Sequence, residues 1–271
     1  MASRTLKKKP LVEAIFEMHW EIPTGFPGLG ANLPANFPQF AQDPSFPELF
    51  AKFLVAAAKK DYPHYEPVES GGMTENIAHQ VVHRFRAVPK GWPLAQLGPG
   101  ILAINNTEGY DWSEFMPRCL DGIALLSESH PQGDQIKIKR IVLRYVDAII
   151  SDVSTLGLSA FLNKKMRVNC ALPISIFEKT NLAPSPTSFQ WRSSYRSEAP
   201  DGMVNVLIAL GTRNDMPKPN DAVILTTEFI TDIKSLALKD FDSKNWLTGS
   251  HKVLCDLFFE LIDGQLKKEF Q

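Results

Sequence analysis

His79-Gln80-Val81-Val82-His83 holds the first residues whose types and spacing could do chemistry: two histidines four positions apart. On a helix such a pair shares a face and can grip a metal ion. The flanking residues 77–88 read as a strand, where positions four apart lie about 13 Å from each other and cannot chelate together. The zinc-hydrolase pattern also needs a glutamate directly after its first histidine, and Gln80 stands there. These are expected to be surface or interface histidines, with no metal. No G-x-S-x-G occurs, no cysteine sits in a known nucleophile signature, and neither G-x-x-x-x-G-K nor G-x-G-x-x-G is present to cradle phosphate. No catalytic residue and no cofactor is assigned.

Three further groups could form sites. Asp147 follows Leu143 and Tyr145 on one face of a long strand, with Arg144 on the opposite face. A buried carboxylate costs several kcal/mol unless paired or hydrogen-bonded. Asp147 therefore marks a polar site at the sheet centre, or else a strand edge, a basic partner or capping amides. Trp92, Asn105, Asn106, Tyr110, Asp111 and Trp112 surround a hairpin. Paired asparagines favour turns, and here they would shape the start of a helix. The bolder reading is a recognition surface built on the large rigid rings. Lys137, Lys139, Arg140, Arg192 and Arg196 are basic residues on strands, with Trp191 and Tyr195 beside the last two. A basic sheet face with aromatic neighbours would suit nucleic acid.

The elements that must position these groups follow from periodicity. Residues 11–21 alternate: Val12, Ala14, Phe16, Met18 and Trp20 fall on one face and Glu13, Glu17, His19 and Glu21 on the other, with Ile15 the exception. That pattern is a half-buried strand. Residues 23–47 carry six prolines and three glycines, and read as a long pinned loop. Leu49, Phe50, Phe53, Leu54 and Ala57 predict a helix over 47–60. Gly98-Pro99-Gly100 turns a hairpin. Asp111 is placed to cap the next helix, with Glu114 completing a capping box and Pro117 marking a kink or the true start. Phe115, Cys119, Ile123 and Leu126 form that helix's buried stripe. Residues 136–150 are the longest strand candidate, buried on both sides in the middle. A short helix at 156–165, strands near 187–196, 203–211 and 222–233, and a helix from Ser243 complete the chain, with Gly264 able to end it.

The order is strand, helix, three strands, helix, repeated once. It predicts an α+β fold: an antiparallel sheet of about eight strands with helices on one face. The halves fall at 1–135, including the loop 23–47, and 136–271. Hydrophobic content of 44% in 271 residues supports a sizeable core, and a net charge of −1 argues against a dedicated nucleic-acid coat. Three cysteines far apart read as reduced thiols. With no apolar run long enough for a membrane span and no secretory signal, a cytoplasmic location is expected.

Four segments carry a resemblance over nearly the whole chain: KPLVEAIFE at 9–17, WPLAQLGPGILAINN at 92–106, LRYVDAI at 143–149 and HKVLCDLFFELI at 251–262. Together they resemble a sporadically distributed bacterial protein family of unknown function. The resemblance implies no chemistry at any residue. The lack of any catalytic signature points to a non-enzymatic binding or regulatory protein, and the patchy distribution of the resembled family implies a partner subunit of a bacterial defence or toxin–antitoxin type system. The expected partner is a protein or a second copy of the chain. The alternative is a nucleic-acid binder using a basic sheet face, and the third an enzyme with an unrecognised site.

Overall fold

The computed structural model describes residues 6–22, 43–68, 78–107, 109–150, 157–213 and 220–271. In chain order the elements are β1 (Leu11–Trp20), α1 (Phe46–Lys59), β2 (His64–Pro67), β3 (His83–Arg86), β4 (Leu94–Gly98), β5 (Ile101–Asn106), α2 (Trp112–Ser129), β6 (Lys137–Ile150), α3 (Leu158–Met166), α4 (Ile174–Glu178), β7 (Gln190–Glu198), β8 (Asp201–Arg213), β9 (Asn220–Ala237), α5 (Ser243–Leu261) and α6 (Gln265–Phe270). The nine strands form one antiparallel sheet in the order β2-β3-β4-β5-β1-β6-β9-β8-β7, so the fold is α+β as expected. In each half of the list the opening strand neighbours the last of the strands that follow it, β1 beside β5 and β6 beside β9. The chain forms two compact units: a larger one of Glu13–Leu143 and Ile230–Thr248, and a smaller one of Met1–Val12, Arg144–Phe229 and Gly249–Gln271.

In the larger unit the alternation of β1 sends Ala14, Phe16, Met18 and Trp20 into the core, and Ile15 is buried on the other side. α1 buries Leu49, Phe53 and Ala57, and the Phe53 ring meets Phe85 of β3 at 5.1 Å. α2 buries its expected stripe and presses Gly122 against β5, where a Cβ would lie 2.7 Å from Ile104 Cδ1. The β4–β5 turn uses Gly100 at φ +75°, and a Cβ there would also meet the His79 ring at 2.7 Å. Asp111 caps α2 by accepting from Ser113 N at 2.8 Å. The expected capping box is not the arrangement found. Asp111 bonds the second helical residue, Glu114 reaches forward to Arg118 at 3.1 Å, and the helix starts at Trp112 and runs through Pro117.

Two other expectations in this unit change. The strand foreseen at 77–88 is confined to His83–Arg86 where described, and β2 is an additional four-residue strand. Asn105 and Asn106 are not turn residues: both lie in β5, paired with Ile15 and Ala14. Pairing in the ladder overrides their local preference for turns. Most of the proline-rich loop, residues 23–42, lies outside the described residues.

In the smaller unit β7 and β8 form a hairpin from Gln190↔Ala209 to Glu198↔Asp201. α3 buries Phe161, Leu162 and Met166 and ends at Arg167, whose φ of +56° closes it. Lys165 of α3 is ion-paired to Glu269 of α6, and Phe270 O accepts from Lys7 N and Lys8 N at 2.9 and 3.0 Å. Gly264 separates α5 from α6. Among the described residues, no helix is long and apolar enough to cross a membrane.

Candidate functional site

The aromatic set around the hairpin divides between two neighbourhoods of the larger unit. Tyr110 and Trp112 both pack on the buried Phe115 ring, at 5.5 and 6.4 Å between centroids. Trp92 instead lies under the Arg86 guanidinium at 5.6 Å, and Arg86 also donates to Glu66 at 2.5 Å. These rings support the start of α2 and the β3–β4 edge respectively.

Asn105 belongs to a row of side chains crossing four strands on the sheet face away from α2. Arg84 Nε donates to Gln96 Oε1 at 3.2 Å, Gln96 Nε2 to Asn105 Oδ1 at 2.8 Å, and Asn105 Nδ2 to Glu13 Oε1 at 2.9 Å. Asn106, equally buried, points to the opposite side of β5. The smaller unit carries a matching row. Arg144 Nε and Nη2 donate to Glu228 Oε1 at 2.8 and 2.6 Å, Asn205 Nδ2 to Glu228 Oε2 at 3.0 Å, and Ser194 Oγ to Asn205 Oδ1 at 2.7 Å. Glu228 accepts on both oxygens and Glu13 on Oε1, which suits these carboxylates to tie strands together.

Asp147 lies on the other face of β6, fully buried, and burial pushes its carboxyl up to about 7. Tyr145, two residues back on that face, is hydrogen-bonded to His251 Nδ1 of α5 at 2.8 Å. Burial drives His251 down to about 4, so its ring is neutral at pH 7. Cys255, one turn along α5, has its Sγ at 3.5 Å from both ring nitrogens. Equal distances put the sulfur over the ring face instead of in line with a lone pair. Such a face-on contact differs from the in-line hydrogen bond by which a histidine holds a thiolate. The sequence marked Asp147, but Tyr145, His251 and Cys255 as a group went unread.

A second unread cluster contains Asp43, Ser45 and His130 in the larger unit. Ser45 Oγ donates to Asp43 Oδ1 at 2.5 Å and lies 3.5 Å from His130 Nε2. His130 Nδ1 accepts from Gln132 N at 3.1 Å, which places the ring proton on Nε2. The order is thus acid–serine–histidine, with a histidine that donates to the serine and cannot take its proton. A hydrolytic triad needs the histidine in the middle as base. An open groove of about 600 Å³ between α1 and α2 has Ala51, Val55, Lys59, Leu125, Glu128 and Ser129 on its walls, and no nucleophile–base pair among them.

The histidines of the opening motif part company. His79, at φ +59°, is in a turn, with Nδ1 2.9 Å from Gly100 O and its ring against His19. His83 is in β3, stacked on Phe50 at 3.9 Å, and burial lowers its pKa. Among the described residues, no group of three or more His, Cys, Asp or Glu is placed to hold a metal. The basic residues are dispersed too. Lys137 and Lys139 fall on the opposite face of β6 from Arg140, which is bound to Asp232 at 2.6 Å. Arg192 and Arg196 flank Ser194 on β7, with Arg196 3.6 Å from Asp201. Arg140, Arg144 and Arg196 each already face a carboxylate.

The feature with no structural role in the core is the segment between α3 and β7. Leu172, Ile174, Ile176 and Leu182 are 64%, 64%, 39% and 64% exposed around the one-turn α4. Prolines at 173, 184 and 186 and a near absence of periodicity hid it from sequence reading. Comparison with known proteins adds no relative: no family model, no curated protein and no solved structure matches this chain.

Proposed function

We propose that the protein is a non-enzymatic binding protein whose ligand is another protein, docked on the apolar segment 172–182 of the smaller unit. The observation that carries this reading is the exposure of four large aliphatic side chains within eleven residues. Each would contribute roughly 1.5–3 kcal/mol on burial, and a cluster of that size held in water marks an interaction site. The clusters described above supply support for the same reading by their chemistry, since none pairs a nucleophile with a base. The patchy distribution of the resembled bacterial family fits a partner subunit of a defence or toxin–antitoxin type system.

The test is native mass spectrometry of the chain gently purified from the cells that carry it, beside a Leu172→Ser/Ile174→Ser variant. The expected result is a protein mass beyond whole multiples of the 30.3 kDa chain, which the variant loses while keeping its circular dichroism spectrum. An added mass that is nucleic acid, or one that the variant retains, overturns the proposal.

A further inference from the structure

The outer edge of β7 holds unused backbone hydrogen-bonding capacity. β7 is the last strand of the sheet order, with β8 on one side only. Leu210 N donates to Phe189 O at 3.1 Å, and the hairpin register continues from there. Antiparallel alternation then turns the N–H and C=O groups of Trp191, Ser193, Tyr195 and Ser197 toward β8. Those of Gln190, Arg192, Ser194, Arg196 and Glu198 point outward. Among the described residues, no backbone hydrogen bond from another element reaches them. An open edge of this kind is a template for another strand.

A second copy of the same strand can fill it, and charge selects how. Two-fold antiparallel pairing must bring outward-facing residues opposite outward-facing residues, which leaves three registers with most of the strand paired. Centring the two-fold axis on Ser194 sets Arg192 opposite Arg196 twice, a like-charge clash. Centring it on Ser193 sets Arg192 opposite Ser194 and Arg196 opposite Gln190, with no charge gain. Centring it on Tyr195 sets Arg192 opposite Glu198 twice and Ser194 opposite Arg196 twice. Tyr195 then meets its own symmetry mate in a pair without mutual hydrogen bonds, where side chains approach most closely. Arg192 and Glu198 are exposed, and Tyr195 is 52% exposed.

We infer that the β7 edge is a self-association surface, on which a second copy of this chain adds antiparallel about a two-fold axis at Tyr195. Four hydrogen-bonded residue pairs would contribute about eight backbone hydrogen bonds, and the contact is isologous and closed. The inference stands apart from the docking segment 172–182, so loss of one leaves the other intact.

The experiment is sedimentation equilibrium on the full chain, 30.3 kDa as a monomer. The native chain is expected to be a dimer. Arg192→Glu and Glu198→Arg should each weaken it by about tenfold or more, because each puts like charges opposite each other twice. Mixed one to one, the two variants should pair with each other, since every contact then joins opposite charges. The Arg192→Glu/Glu198→Arg double variant should dimerise on its own. Circular dichroism of each variant checks that the fold is kept. A native chain that stays monomeric at about 100 μM overturns the inference. So does a dimer that both single variants retain, or a mixture that fails to associate.

Discussion

The two units build the same kind of polar row and place their buried polar groups differently. Each lays a chain of side chains over four strands, Arg84–Gln96–Asn105–Glu13 in the larger and Arg144–Glu228–Asn205–Ser194 in the smaller. On the helix-covered side the resemblance stops. β1 sends only Ala14, Phe16, Met18 and Trp20 inward, whereas β6 sends Tyr145 and Asp147 among its apolar neighbours. The larger unit's buried polar groups, Asp43, Asn105, Asn106, Ser129 and His130, thus come from elements other than its opening strand, whereas Asp147 stands on the opening strand of the second half itself. The smaller unit also carries the exposed segment 172–182 and the open β7 edge.

The sharpest way to break this contrast is Phe16→Ala. Phe16 is buried against the edge of Trp246 at 6.5 Å, and its removal leaves a cavity beside an indole that is held by its Nε1 bond to Thr231 at 2.9 Å. A loss of about 3–5 kcal/mol is expected in urea unfolding. A loss below about 1 kcal/mol would mean that packing around Phe16 is not what stabilises the larger unit.

The next effect belongs to the smaller unit and depends on pH. Asp147 keeps its proton up to about 7 in the fold, against an ordinary 3.8. Its contribution is therefore present at low pH and lost as pH rises through 7. His251 behaves oppositely: held to about 4 against an ordinary 6.5, it contributes above 6.5 and loses that contribution as pH falls toward 4. Between about 4 and 6.5 the two slopes, each about 1.4 kcal/mol per pH unit, oppose each other. Burial lowers His83 and His130 as well, which adds to the slope of His251 from the larger unit. Asp147→Asn should leave stability rising steeply from pH 4 to 6.5, and at pH 8 should stabilise the chain by up to about 4 kcal/mol. His251→Gln should tilt the same profile toward falling stability with rising pH. Unfolding midpoints at pH 4.5, 6 and 8 decide it; parallel profiles in the native chain and both variants would remove Asp147 and His251 as the opposed pair.

Which of these features could be read from the chain follows from how local their causes are. β1, α1 and the buried stripe of α2 were legible because burial imposes period two or 3.6 on neighbouring residues. Asp147 stood out for the same reason, as a carboxylate in the i, i+2 series of Leu143 and Tyr145. Its companion His251 did not, because it lies 106 residues beyond Tyr145, where no local pattern connects them. β2 is only His-Tyr-Glu-Pro, too short and too exposed to alternate visibly. Asn105 looked like a turn residue because its partners Glu13 and Gln96 come from other strands, one of them 92 positions away. Segment 172–182 was unreadable for the converse reason: with nothing packed on it, no periodicity is imposed.

The smallest effect compares the centres of the two rows. Asn105 is 5% exposed, so Asn105→Ala empties a buried position and takes the partner from the half-buried amide of Gln96 and one oxygen of half-buried Glu13. The expected cost is about 1–3 kcal/mol. Asn205 is half-buried, and its neighbours Ser194 and Glu228 keep access either to water or to Arg144. Asn205→Ala should then cost about 1 kcal/mol or less, because solvent replaces the lost partner. Urea unfolding of the two variants side by side measures the difference. Equal costs would show that the rows are energetically alike despite their burial, and would confine the contrast between the units to their helix-covered sides.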